Sequence, residues 1–223
     1  MSKLAEMPED FSRQELLTAL TTEHFTLQGA RSQTVGESAA RSSLYLGSLS
    51  STLIALGFVS QVSEGGDAFQ LFALAALPTL YFLGVFTFVR LVESSVEDLL
   101  YGRAINRVRH YYLELAGKEG RYFMMGGNDD VRGVLANMGL GRGPRWQLFA
   151  TTASAVSVVN SIVGGGCVAI FLGVTLDLPL AVAAVAGAAF AVLSVALHQR
   201  YDRRHHVQAG GHLDVLFPSP PAS

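Results

Sequence analysis

One stretch of this chain places hydroxyl and amide side chains at helical spacing inside an apolar run. Thr151, Ser154, Ser157 and Ser161 recur at steps of three and four, Asn160 stands beside them, and Gly164-Gly165-Gly166 follows. On a helix those steps put the side chains in one column. Inside a membrane such a column can line a water-filled path, and consecutive glycines can let the helix open and offer carbonyl oxygens to an ion. Thr151, Ser154, Ser157, Asn160, Ser161, Gly164 and Gly165 are therefore the pore-lining candidates. The same spacing equally suits close packing, because small residues let helices approach and bond to one another. Gly47, Ser50, Ser51 and Gly57, and the pairs Ala183, Gly187 and Ala184, Ala188, read more simply as packing positions. Pro78 removes a backbone donor within another apolar run and is the gating-kink candidate, or only a bend.

A second constellation is basic. Arg103, Arg107, Arg109 and His110 cluster in a segment that Arg121, Arg132, Arg142 and Arg145 extend. They form a candidate site for anionic lipid headgroups or a phosphate-bearing ligand. The alternative is a purely topological role, with Glu93, Glu97 and Asp98 pairing part of the charge.

Other chemistry finds little support. Gly126-Gly127-Asn128-Asp129-Asp130 lacks the Lys-Ser/Thr of a P-loop and the spacing of a calcium loop, and reads as a turn and helix cap. His205, His206 and His212 lack the helical spacing of zinc enzymes, and the single cysteine, Cys167, has no partner in the chain. No nucleophile elbow is present. The expectation is no enzyme, no cofactor and no metal. A net charge of -2 argues against a nucleic-acid partner.

The elements that must position these residues are membrane spans. The chain has 223 residues, of which 50% are hydrophobic and 15% charged; soluble proteins carry roughly 25% charged residues. A span needs about 20 apolar residues to cross a 30 Å hydrocarbon core. Leu44 to Val62 and Ala68 to Val89 qualify, joined by the turn Ser63 to Asp67. Trp146 to Leu172 and Leu178 to Leu197 form a second pair, joined through Gly173 and Asp177. Turns this short make each pair an antiparallel hairpin.

All 16 Lys and Arg lie outside those two turns, which carry Glu64, Asp67 and Asp177. Basic residues in short loops stay on the cytoplasmic side. This predicts that both termini and the middle segment are cytoplasmic, with Trp146 an interfacial anchor. The two hairpins then run in the same direction, unlike the inverted repeats of many secondary transporters. The acidic Met1 to Asp10 does not read as a signal peptide, so the first span is the expected targeting signal. Many Arg against only Lys3 and Lys118 suggests a GC-rich bacterial genome, hence a bacterial cytoplasmic membrane.

The remaining segments read as helical. Ser12 and Glu15 have capping-box spacing, with Phe11 placed to staple onto Leu16. Val96, Leu100, Ala104, Val108, Tyr111 and Leu115 describe one apolar helical face. Asn128 or Asp129 is placed to cap a short helix ending near Gly139, with Gly141 to Pro144 a linker. The fold expected is an all-α, integral membrane four-helix bundle of two parallel-oriented hairpins with cytoplasmic amphipathic helices. It divides into an N-terminal helix (1–43), a first hairpin (44–92), a cytoplasmic helical segment (93–145), a second hairpin (146–198) and a tail (199–223). Pro218, Pro220 and Pro221 predict that the tail from Gln208 on is disordered.

A helix ending in Gly36-Glu37-Ser38-Ala39-Ala40-Arg41, a two-span hairpin and the helix Ser94 to Leu115 together resemble the prokaryotic SLATT class. The resemblance is one of organisation, over about the first half of the chain; the second hairpin has no counterpart in that pattern. It implies a pore-forming membrane effector of nucleotide-linked conflict and antiphage systems. Together these features lead to a homo-oligomeric four-span membrane protein, a channel or pore gated from the cytoplasmic side. The competing expectation is a non-conducting scaffold that recruits proteins through its cytoplasmic helices.

Overall fold

The computed structural model describes residues 12–140, 151–211 and 214–221. It is all-α. In chain order the helices are α1 (Arg13–Val62), α2 (Asp67–Ala116), a 3-10 helix (Gly117–Tyr122), α3 (Val131–Asn137), α4 (Thr152–Thr175) and α5 (Leu180–Gly211). Four of them, α1, α2, α4 and α5, are long and apolar enough to cross a membrane. The staple residue Phe11, the linker Gly141 to Pro144, the anchor Trp146, Arg142, Arg145 and His212 lie outside the described residues.

Local rules account for the helix ends. The Ser12 backbone N–H donates to Glu15 Oε2 at 3.0 Å, and the Glu15 N–H donates to Ser12 Oγ at 3.3 Å, the reciprocal capping box the spacing predicts. Between α1 and α2 the chain reverses through Glu64 and Gly65, with φ of 50° and 75°. Left-handed backbone suits Gly65 and strains a side chain at Glu64. α1 continues unbroken through residues 43 and 44, and α2 through 92 and 93. Nothing in either stretch stops a helix, since both lack proline and consist mostly of adequate helix formers. Pro78 lies inside α2, which runs on through it.

The described residues fall into two compact units, one of 35–97 and 151–211, the other of 12–34, 98–140 and 214–221. In the first, Tyr45, Leu80, Phe88, Leu91, Val92, Ala153 and Val156 form the main core, and Leu56, Ala73 and Leu77 a smaller one. Many large apolar side chains remain outside these cores, among them Ile54, Phe58, Phe82, Leu180, Val185 and Val192. Apolar exposure on this scale is costly in water and marks a surface made for lipid or another protein.

The second unit pairs the start of α1 with the end of α2. Arg31 grips Asp98 through two bonds of 2.7 and 3.1 Å, and the Tyr112 hydroxyl donates to Thr21 Oγ1 at 3.3 Å. One expectation gains detail here and one needs correction. The α2 positions buried here are Gly102, Arg103, Ile105, Asn106 and Val108, so of the predicted apolar face only Val108 is fully covered. A polar loop packs on this side of the helix and demands donors. The described residues of the tail are ordered rather than disordered: α5 runs to Gly211, and residues 214–221 are hydrogen-bonded along their length. Proline removes a backbone donor but leaves a carbonyl acceptor, and here those acceptors find partners.

Candidate functional site

The third-span column faces inward in the first unit. Ser157, Asn160, Ser161, Gly164 and Gly165 are buried, Ser154 is half-buried and Thr151 is exposed. Thr151 is the N-cap of α4, accepting from the Ser154 N–H at 3.2 Å. The Tyr45 hydroxyl donates to Asn160 Oδ1 at 3.1 Å, and Ser161 Oγ donates to Ser194 Oγ at 3.0 Å. Ser194 also meets the Tyr81 hydroxyl at 3.2 Å, so residues from α2, α4 and α5 share one cluster. His198, one turn beyond Ser194, shares a 2.7 Å hydrogen bond with the Ser194 carbonyl through Nδ1 and sets its ring edge against Phe88. A groove of about 230 Å³, lined by Tyr81, Phe88, Ser194 and His198 among others, opens beside it.

Glycine makes this arrangement possible at one crossing. A Cβ on Gly165 would lie 2.6 Å from the Gly187 carbonyl oxygen, so α4 and α5 touch backbone to backbone. The column thus cements helices of one chain. Sequence reasoning passed over Tyr45, Tyr81, Ser194 and His198. The signal for two of them was present: Ala183, Gly187, Ser194 and His198 recur at helical steps on α5, and all four are buried.

Asn160 Nδ2 and His198 Nε2 are buried without a partner among the described residues. Tyr45→Phe would remove the hydroxyl that satisfies Asn160 Oδ1. A stranded buried acceptor costs about 1–3 kcal/mol. The expected outcome is a loss of that order in detergent-denaturation free energy, with helix content unchanged.

The basic cluster belongs to the second unit, where it holds a loop and the tail. Arg103, only 2% exposed, donates from Nε to the Asp129 carbonyl at 2.8 Å. Arg107 clasps Asp129 Oδ2 from Nε and Nη2 at 2.9 and 2.7 Å. The Leu216 and Phe217 N–H groups donate to Asp129 at 3.2 and 2.8 Å, and the Asp129 N–H returns a bond to the Phe217 carbonyl. Asp129 is fully buried. His110 stacks on the Phe217 ring with centroids 3.6 Å apart. Arg109 bonds Asn106 Oδ1 at 3.0 Å; burial, and then the charge of Arg31, lower its pKa. Asp130, rather than Asn128 or Asp129, caps α3, accepting from the Gly133 N–H at 2.9 Å. Asn128 is excluded because its side chain reaches the tail, and Asp129 because its carboxylate is the counter-ion of Arg107.

Burial works to raise the Asp129 pKa, but the donors from Phe217, Arg107 and Leu216 outweigh it and the net shift is downward. Asp130 behaves alike, with Ser219 and Gly133 as donors. A depressed carboxylate contributes stability that is present above its unfolded pKa, near 3.8, and is lost as pH falls through the lower folded value. The tail should therefore stay docked through ordinary carboxylate titration and detach only below pH 4 or so. Amide exchange of residues 214–221 across an acid titration checks this; release near pH 6 would contradict it.

Among the described residues no three His, Cys, Asp or Glu side chains gather to hold a metal ion. His206 pairs with Asp202 at 3.2 Å, and His205 stacks on Tyr201. No protein-family model, no curated protein and no solved structure matches this chain.

Proposed function

We propose that this chain is one subunit of a homo-oligomeric assembly in a bacterial cytoplasmic membrane, and that the assembly conducts ions or small solutes under control from its cytoplasmic side. The observation that carries the reading is the outward face of α1. Ser43, Gly47, Ser50, Ile54, Gly57 and Gln61 recur at alternating steps of four and three, and all are exposed. A Cβ on Gly47 or Gly57 would meet nothing within 4 Å. A lipid-facing helix has no need of hydroxyl, amide and glycine along one stripe, whereas a helix that meets its own copies or lines water does. Beside the stripe, Ser48, Thr52 and Thr79 help line an open groove of about 400 Å³ between α1 and α2.

This moves the path from the interior column of α4 to the α1 face, between subunits. The SLATT-like organisation of the first half supports a pore-forming effector. Control from the cytoplasmic side draws on the basic cluster. Arg103, Arg107 and His110 are engaged by loop and tail, and Arg109, close to Arg31, is the position best suited to a phosphate-bearing ligand or anionic headgroup.

Flux through liposomes containing the purified protein tests the reading, together with native mass spectrometry. Gly47→Leu with Gly57→Leu should lower the oligomeric state and abolish flux, and Ser50→Cys in a Cys167→Ala background should react with water-soluble thiol reagents. An oligomer that conducts nothing with any cytosolic ligand would sink the channel and favour the scaffold. The tail-filled cradle of the second unit specifically favours that second reading, since it is a surface built to hold peptide.

A further inference from the structure

The tail is held as a ligand is held. Between Asp214 and Pro220 most of the bonds run from its main chain to side chains far away in sequence. Arg107 Nη2 donates to the Asp214 carbonyl at 2.6 Å, Asn128 Nδ2 to the Pro218 carbonyl at 3.0 Å, and Arg132 Nη1 to the Pro220 carbonyl at 2.7 Å. Both Asp129 oxygens take tail N–H groups, and Asp130 takes the Ser219 N–H and hydroxyl at 3.2 and 2.6 Å. Such main-chain pairing gives affinity for any extended peptide, and side-chain contacts then select. Two contacts select here, the Phe217 ring on His110 and the Ser219 hydroxyl on Asp130. The floor is shaped for close approach: a Cβ on Gly127 would overlap the His110 backbone at 2.7 Å.

We propose that this cradle is a peptide-docking site for an extended aromatic-Pro-Ser-Pro segment, and that its ligand in the assembly is the tail of a second copy of this chain. The exchange rests on the homo-oligomer proposed above; the docking site does not. Every bond between tail and cradle forms identically whether the tail comes from the same subunit or a neighbour, so exchange sacrifices no contact. In sequence only residues 212 and 213 separate Gly211, the last residue of α5, from Asp214, and a short connection favours exchange.

Two measurements test this. First, a fluorescent peptide of residues 214–221 is titrated into the intact protein, into Phe217→Ala with Ser219→Ala, and into a chain stopped after Gly211. A docked tail competes at a local concentration on the order of millimolar, so the altered proteins should bind the peptide at least about tenfold more tightly than the intact one. The double variant keeps the full chain in case the shortened one does not fold. No binding to a folded variant would overturn the docking site. Second, in a Cys167→Ala background, an Asn128→Cys copy is co-expressed with a Pro218→Cys copy and treated with a short bismaleimide. Exchange predicts a covalent dimer. If the co-expressed copies give no dimer and a single chain carrying both Asn128→Cys and Pro218→Cys links only within itself, while native mass spectrometry shows an oligomer, exchange is overturned and docking in cis stands. A monomer by the same method would instead remove the homo-oligomer reading.

Discussion

Gly165→Leu is expected to separate α4 from α5. At this crossing the added Cβ alone would sit 2.6 Å from the Gly187 carbonyl oxygen and 3.0 Å from the Ala191 methyl, and the rest of the leucine has no direction in which to go. A flexible side chain can swing aside, but a backbone carbonyl inside a helix cannot. Overpacking in well-filled interiors costs about 1–3 kcal/mol, and a clash against rigid backbone belongs at or above the top of that range. Parting the helices would also strand Ser161 and Ser194, whose 3.0 Å bond spans the same interface. Gly166, the next residue, is the internal control. It is exposed and a Cβ there would touch nothing within 4 Å. Gly166→Ala should be neutral or stabilise by up to about 1 kcal/mol, because alanine is the better helix former. The check is denaturation of both variants in the same detergent. Equal behaviour of Gly165→Leu and Gly166→Ala would contradict the packing described for α4 and α5.

Asp129→Asn should release the tail and destabilise the unit that holds it. The carboxylate accepts from four donors: the Leu216 and Phe217 N–H groups and two nitrogens of Arg107. An amide is nearly the same shape but turns one acceptor into a donor, which then faces N–H groups with nothing to offer them. Breaking a buried, hydrogen-bonded charge pair costs about 3–5 kcal/mol. The Arg107 side chain is 41% exposed and can recover water, so the loss should fall toward the lower end. Residues 214–221 should lose protection from amide exchange and become sensitive to protease, while the first unit keeps its thermal behaviour. Asp130→Asn, which leaves Arg107 paired, should loosen only the Ser219 end. A tail still protected in Asp129→Asn would show that the stack on His110 and the remaining bonds suffice.

How much of this was legible depended on the range of the interaction. Hydropathy and length revealed four helices long and apolar enough to cross a membrane, because a helix satisfies its own backbone and needs only a run of apolar residues. The Ser12 and Glu15 capping box was readable for the same reason: both partners lie within four residues. The end of α2 is the helix its apolar periodicity predicts, but that periodicity gave no sign that Arg103 and Asn106 would be buried. Nothing in that segment announces the loop at 126–130, whose carbonyls those side chains satisfy.

The polar column of α4 shows the same limit from the other side. Its spacing proved that Ser157, Asn160 and Ser161 share a face, and it could not say what that face meets. A pore and a packed interface ask for the same small and polar residues, and the spacing gave no sign of Tyr45, Tyr81 and Ser194, which the column meets within this chain. By itself the sequence determined the helices, their capacity to cross a membrane and the asymmetry of basic charge, all of which follow from composition and local periodicity. The tertiary structure alone decided that the column is interior, that the α1 stripe is left open, and that a proline-rich tail is bound. The buried column and the bound tail rest on pairings such as Tyr45 with Asn160, 115 residues apart, and Asp129 with Leu216, 87 apart, and no local pattern encodes such a pairing.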